Sequence, residues 1–370
     1  MSLNLDKSSW QRVRFGEVVD SITDRVDDPS AAGVDRYVGL EHLDPGVLTV
    51  QRWDSPDTVQ AQKLRFLPGD VIFGRRRAYQ KKVARADFEG ICSAHALVLR
   101  AKPGMMNPGF LPVFLSSNYF LDRAIEISVG SLSPTVNWRD LRVQEFDLPP
   151  LQTQHDLADL LWALEAEHGA ALALRDAAGV LFRRMLQDYT KPQDATEMST
   201  VGEVSEVLDS RRVPLSASQR ADRKGAVPYY GAAGQIDSID AHIFDEPLVL
   251  VCEDGFGLAA WRERPIAYKI SGPTWVNNHA HVLRARSVST DWLLFSLMHY
   301  NLDGLISTTV KPKLNLAVMK SMAIRKTASE EALLAQLQAV LSVSTAANWR
   351  DTMTFNLRTS LLAEIFGEGN

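Results

Sequence analysis

Two stretches of the chain place apolar side chains at alternating intervals of three and four. In the first they are Leu157, Leu161, Leu164, Ala171, Ala178, Phe182, Met185 and Tyr189, interrupted by His168 and Arg175. In the second they are Leu334, Leu337, Leu341, Phe355, Leu362 and Ile365, interrupted by Ser344, Asn348, Asp351 and Arg358. This is the heptad spacing of a helix with one apolar stripe. Thr153 opens a T-x-x-D and Thr327 a T-x-x-E, both N-terminal capping signals. Lys191-Pro192 ends the first run. The pattern predicts long helices over 151–190 and 327–370. About 35 residues of helix reach roughly 50 Å. A single stripe needs a partner. If the two helices pack antiparallel, their polar middles meet and fix the register at some cost in stability. The other reading turns those side chains to solvent.

Elsewhere the pattern shortens to β-rich runs punctuated by Gly and Pro. "GDVIFG", "KKVAR" and "ICSAHALVLRA" read as successive strands, and "PGFLPVFLSSNYFLDRAIE" at 108–126 as a short helical stretch. These landmarks occur twice. "FGEVVDSI" at 15–22 is answered by "VGEVSEVL" at 201–208, and "YVGLEHLDPG" at 37–46 by "YYGAAGQIDS" at 229–238. "DVIFG" faces "LVLVCEDG", and "SAHALVLRA" at 93–101 faces "NNHAHVLRA" at 277–285. "SPTVNWRDLRVQEFDLPP" at 133–150 faces "VKPKLNLAVMKSMAIRKT" at 310–327, with Asn137 near Asn315. One order, kept twice, indicates a tandem duplication with a period of about 180 residues. Each copy is an α+β domain followed by a long helix.

Composition narrows the class. With 370 residues, 45% hydrophobic and 23% charged, the chain is a soluble globular protein of two or three domains. Cys92 and Cys252 are far apart and lack metal-ligand spacing, so a reducing compartment is expected. "MSLNLDKSSWQRVRF" has no apolar core of a signal peptide, and no run approaches the length of a membrane span. A cytoplasmic protein without a membrane contact is the expectation. The net charge of −5 argues against a free-standing nucleic-acid binder. Residues 75–85, "RRRAYQKKVAR", argue the other way, with six basic side chains and no acid.

Three motifs then acquire meaning together. These are the "GDVIFG" strand, "FDLPPLQTQHDLADLL" at 146–161 and "VPYYGAAGQID" at 227–237. With the doubled order of elements, they make the chain resemble the specificity subunits of Type I restriction–modification systems, over nearly its whole length. The second copy reads "AIRKTASEEALL" where the first has "FDLPPLQTQHDL", so the Pro-Pro-Leu-x-x-Gln segment occurs once. The resemblance implies two similar target recognition domains, at 1–150 and 191–326. They would be separated by a pair of long antiparallel, coiled-coil-like helices at 151–190 and 327–370, in a pseudo-two-fold tandem repeat. It implies a sequence-specific reader of a bipartite, asymmetric target in double-stranded DNA. The helices would dock two methyltransferase subunits, which carry S-adenosylmethionine. A restriction subunit, where present, would bring ATP and Mg. The chain itself would hold no cofactor and catalyse nothing.

A search for chemistry agrees with that expectation. No phosphate-binding loop and no dinucleotide fingerprint occurs. "DLPPL" at 147–151 has an inserted Leu148 and lacks the aromatic of an adenine methyltransferase motif. His279 and His281 lack further Cys or His ligands, and the acids of "CEDGFG" at 252–257 read as a polar turn. No metal site is expected. For DNA the candidates are Arg75, Arg76, Arg77, Tyr79, Lys81 and Lys82, on a loop between two strands, set against a solvated charged hairpin. Ser133, Thr135 and Asn137 precede the return strand of the first copy. Gly231, Gln235, Thr308, Thr309, Lys311 and Lys313 are the second copy's candidates. Partner-docking candidates are Leu157, Leu161, Leu164, Phe182, Leu337, Leu341, Phe355 and Leu362. Two other classes remain: a diverged stand-alone DNA-modifying or nuclease enzyme, and a scaffold for helical partners that reads no sequence.

Overall fold

The computed structural model describes residues 6–307 and 311–367. The chain divides into two compact units, one of residues 1–173 and 347–370, the other of 174–346. Both are α+β. Each unit takes half of each long helix, because the helical stripes are buried in the cores of the units themselves.

In the first unit Gln11–Arg14 pairs antiparallel with Glu145–Leu148, closing the domain next to the long helix. A four-stranded antiparallel sheet follows, in the spatial order Val19–Ile22, Leu97–Ala101, Val71–Phe73, Val83–Arg85. A second sheet has the order Arg25–Val26, Lys63–Phe66, Gly90–Ser93, Tyr37–Val38, with the last pair parallel. Phe15, Phe73, Phe110, Phe114, Phe120 and Phe146 fill the main core, beside the helices Phe110–Ser116 and Asn118–Glu126.

The second unit repeats the plan. Met198–Thr200 pairs with Ala323–Arg325. Its first sheet runs Ser205–Val207, Ala280–Ala285, Leu248–Cys252, Ala267–Ile270. The other runs Gly234–Ile239, Lys224–Gly231, Pro273–Val276, Phe244–Asp245. Cys92 and Cys252 are free and buried, on strands that do not correspond between the two units. Among the described residues no helix is long and apolar enough to cross a membrane.

The repeated words are scaffold. In Gly-Glu-Val the glycine allows close approach: the Gly16 amide donates to Arg142 O at 2.8 Å, and a Cβ there would lie 2.9 Å from Arg142 Cβ. A Cβ on Gly202 would meet Lys320 Cβ at 3.3 Å. The glutamate caps the turn, Glu17 accepting from Arg14 N at 3.1 Å and Glu203 from Thr200 N at 2.8 Å. Val18 and Val204 are buried. In the His-Ala…Arg-Ala stretch the arginine clamps an acid beside the neighbouring strand. Arg100 holds buried Asp70 through bonds of 2.6 and 2.8 Å. Arg284 holds Glu246 through two bonds of 2.6 Å and Glu206 through one of 2.7 Å.

The long helices are Leu151–Thr190 and Glu330–Phe366. Thr153 lies inside the first helix, whose first turn is held instead by Gln154. That side chain donates to Pro149 O at 2.9 Å and accepts from Asn107 N at 2.8 Å. This is the structural use of the Pro-Pro-Leu-x-x-Gln segment. In the second copy Glu330 does a similar job, accepting from Ser289 N at 2.9 Å at the start of the helix Thr290–Met298. The second copy therefore lacks the signature but keeps the tie.

Within the first unit the two helix segments pair antiparallel. Glu165 meets Arg358 at 2.8 Å and His168 meets Asp351 at 2.7 Å, while Arg350 pairs with Glu167. The polar middles meet here, as the packed reading requires. Within the second unit Phe182, Leu186 and Leu337 are buried and Tyr189 donates to Gln336 at 2.6 Å. The seam of the second helix differs from the expected one. Ala347, Thr354 and Leu361 face inward where Asn348, Phe355 and Leu362 were expected. Alternating threes and fours accommodate either neighbour. Periodicity alone does not choose between such neighbours, whereas the packed helix takes the small Ala347 and Thr354.

Glu165 and Arg358 are buried, with side chains 8% and 9% exposed. Glu165→Ala strands a buried guanidinium, so urea unfolding of the first unit should show a loss of about 3–5 kcal/mol. The double variant Glu165→Leu/Arg358→Met should recover most of it. Strictly additive losses would show that the two groups do not act as a pair.

Candidate nucleic-acid interface

In the first unit the paired strands Val71–Phe73 and Val83–Arg85 present the basic loop. Its backbone is fastened to the segment before the return strand. Val136 N donates to Arg75 O at 2.9 Å, Arg77 N donates to Pro134 O at 2.7 Å, and Arg76 bridges Thr135. Arg76 Nε and Arg77 Nε both donate to Ser133 Oγ at 3.2 Å. The structure therefore joins two groups of candidates, the basic loop and Ser133–Thr135, into one ledge. Arg77 (φ 57°) and Lys81 (φ 54°) adopt left-handed backbone on either side of the turn Ala78–Gln80. Such positions cost of order 1 kcal/mol or more each and persist only where the surroundings hold them. Buried Ala78 anchors the turn.

The electrostatics of the ledge set it apart. Among the described residues no carboxylate lies within 4.0 Å of Arg75, Arg76, Arg77, Lys81 or Lys82, whereas Arg85 is paired with Asp87 at 2.9 Å. Lys81 donates to Asn118 Oδ1 at 2.8 Å and Lys82 to Leu40 O at 2.5 Å, both neutral acceptors. Arg75 Nε is buried without a hydrogen-bond partner. Tyr79 is half exposed. Asn137 sits at the N-cap of the turn Trp138–Leu141, but its side chain makes no capping bond. Two residues that the sequence did not single out complete the ledge, Val129 and the nearly fully exposed Leu132. They belong to no periodic pattern, so nothing local marks them.

The second unit places different chemistry at the same position. Val251 lies opposite His281 as Phe73 lies opposite Leu97. Asp254 bridges Lys313 as Arg76 bridges Thr135. Leu314 N donates to Glu253 O at 2.9 Å, as Val136 N does to Arg75 O. Glu253 and Asp254 thus stand where the first unit has Arg75 and Arg76. Glu253 is buried in a network. Arg212 donates to it at 2.8 Å and Lys313 approaches at 3.1 Å. His281 Nδ1 meets Asp209 at 2.6 Å, its Nε2 meets Leu314 O at 2.9 Å, and Val282 N donates to Asp209 at 2.8 Å.

Ligand-type atoms of Asp209, Glu253 and His281 lie within 4.8 Å of one another. They do not suit a metal, because both His281 nitrogens face acceptors and Arg212 and Lys313 already supply positive charge. Burial opposes charging His281, but Asp209 and the Leu314 carbonyl outweigh it and raise its pKa above the ordinary 6.5. The acids of residues 252–257 are therefore more than a polar turn: Glu253 is part of a buried ionic network. His279 is exposed and pairs with Asp254 at 2.8 Å.

The other candidates are dispersed. Lys311 is exposed and Lys313 is held by Glu253, while Thr308 and Thr309 lie outside the described residues. Gly231 and Gln235 lie on the hairpin Lys224–Gly231/Gly234–Ile239, Gly231 accepting from the Tyr268 hydroxyl and Gln235 donating to Ser238 at 3.0 Å. The proposed docking residues need correction. Leu157 and Leu161 are buried in the first unit's core, Phe182 and Leu337 in the second's. Apolar burial inside the chain takes these surfaces before a partner can. Leu164 and Leu362 are partly buried, whereas Leu341 and Phe355 are exposed. Trp349, Met353 and Leu357 also lie exposed on the helix segment of the first unit, and Val180, Leu181 and Val343 on those of the second.

No protein-family model matches the chain. Over 159 residues, 40% of the chain, it is 28% identical to the Type I restriction enzyme EcoDI specificity subunit of Escherichia coli. The match spans about a third of that relative's length, 33%. Over its whole length (100% of this chain, 99% of the other), the structure resembles the Type I restriction–modification S subunit from M. genitalium, with a TM-score of 0.67 at 14% identity. The chain has the fold of a Type I specificity subunit. A second solved chain, from work on complex assembly and conformational transition of the type I R-M system, aligns with a TM-score of 0.58 at 18% identity, over 97% of this chain and 98% of that one. Within this specificity-subunit fold the basic ledge and the ionic network are the same position of two duplicated units, filled differently.

The network makes stability depend on pH in the second unit. A folded pKa raised above 6.5 stabilises fully below that value and is lost as pH rises through the folded one. Denaturation midpoints should therefore fall as pH rises above the ordinary imidazole value of 6.5 and through the raised one. His281→Gln should flatten that fall. An unchanged profile would show that the ring is neutral in the folded protein.

Proposed function

We propose that this chain is the specificity subunit of a Type I restriction–modification complex, reading a bipartite target in double-stranded DNA while partner subunits do the chemistry. The observation that carries the reading is the ledge of Arg75, Arg76, Arg77, Lys81 and Lys82 with no carboxylate beside it among the described residues. Five like charges on one short loop repel one another, and a polyanion relieves that repulsion. Small donors such as Ser133 and Thr135 lie alongside for phosphate contacts, and the arginine forks suit base edges in the major groove. The relationship to specificity subunits and the doubled recognition unit support a split, asymmetric target. S-adenosylmethionine belongs to the methyltransferase subunits in this reading, and ATP and Mg to a restriction subunit. The site of action is the cytoplasm. The exposed apolar residues of the long helices form the docking surface.

The loop is tested with the assembled methyltransferase complex, titrated with duplex DNA at several salt concentrations. Replacing Arg75, Arg76 and Arg77 with Ala should weaken binding and reduce the slope of log K against log salt by about 0.9 for each phosphate left without its cation. An unchanged slope would return the loop to solvated surface. For docking, Trp349→Asp with Met353→Asp should abolish co-elution with the methyltransferase subunits without lowering the chain's own melting temperature, since both side chains are exposed. Normal co-elution would move the docking surface elsewhere.

A further inference from the structure

The corresponding places in the two units carry opposite charge. The correspondence rests on backbone pairing, not on sequence similarity. Arg76 bridges Thr135 and Asp254 bridges Lys313, each pair next to the same carbonyl-to-amide bond. Thr135 and Lys313 each stand two residues before an asparagine at the N-cap of the following turn. At this place the first unit offers guanidinium groups and hydroxyls. The second offers carboxylates, and the two are not equivalent. Glu253 is buried and spent on Arg212 and Lys313. Asp254 keeps 32% of its side chain exposed, and its side-chain partner is His279, exposed to 51%.

We infer that Arg76 and Asp254 are equivalent specificity-determining positions, and that the two units read their half-sites with opposite hydrogen-bond polarity. This rests on the proposed DNA-reading function. In the major groove guanine presents O6 and N7 acceptors, which suit the guanidinium of Arg76. Cytosine presents the N4 amino donor, which suits a carboxylate. Adenine pairs its amino donor with an adjacent N7 acceptor, which a carboxylate cannot satisfy, so Asp254 favours cytosine. The surrounding cations then have a purpose. Arg212 and Lys313 pair with Glu253 and Asp209, and His281 bonds to Asp209, so that the acidic residues beneath Asp254 do not repel the phosphate backbone. Among the described residues the first unit presents no acid at this place, so no such neutralisation arises there.

The test is a selection from random-sequence duplex DNA by the assembled complex, wild type and variants. Asp254→Ala should relax the preference for cytosine at one position of one half-site by about tenfold and leave the other half-site intact. Arg76→Ala should relax guanine at one position of the opposite half-site. Asp254→Asn keeps the size of the side chain and should shift the cytosine preference towards adenine, since an amide matches both N6 and N7. A split target that both Asp254 variants leave unchanged would overturn this inference alone. So would a change in the half-site that Arg76 governs. A wild-type complex that selects no sequence would overturn the proposed function, and this inference with it.

Discussion

One buried ion pair holds the first unit together. Glu165, on the first long helix, accepts from Leu48 N at 2.8 Å and pairs with Arg358 of the second at 2.8 Å, and Arg358 also donates to Gly46 O. Two helices and a loop of the α+β domain therefore share a single pair of charges. Charges that deep are tolerable only when their lone pairs and protons are met, so a slip of either helix would leave both ions unpaired. His168–Asp351 and Glu167–Arg350 repeat the match along the same seam. The apolar stripes supply attraction between the helices; the charges select one register from the several that the stripes would accept.

The duplication separates scaffold from site. What recurs in both units is what the fold needs: the Gly-Glu-Val turn, the arginine-to-acid clamp, and a first-turn side chain tying the long helix to its domain. What differs is the loop that these elements hold out. The same strand geometry carries Arg75 and Arg76 in one unit and Glu253 and Asp254 in the other. Changing the exposed part of such a loop leaves the clamp and the turn intact, because other residues make them. A duplicated fold can therefore acquire two specificities without two architectures.

Much of this was legible from residue order. Periodicity marked both long helices, alternation and Gly/Pro punctuation marked the strands, and internal likeness marked the duplication. The run of six basic side chains marked the ledge. Each is a local signal, and local signals survive in sequence because backbone geometry repeats every two or 3.6 residues. The tertiary structure decided the rest. It chose Ala347 and Thr354 over Asn348 and Phe355 for the seam, since only a packed neighbour distinguishes two adjacent positions of one stripe. It buried Leu161 and Phe182 inside the chain, where the stripe alone did not say what would cover it. It brought Ser133 to Arg76, and Asp209 and Glu253 to His281, across separations that no pattern spans. Charge pairing over such distances follows from where strands and turns finally lie, and that depends on the whole fold.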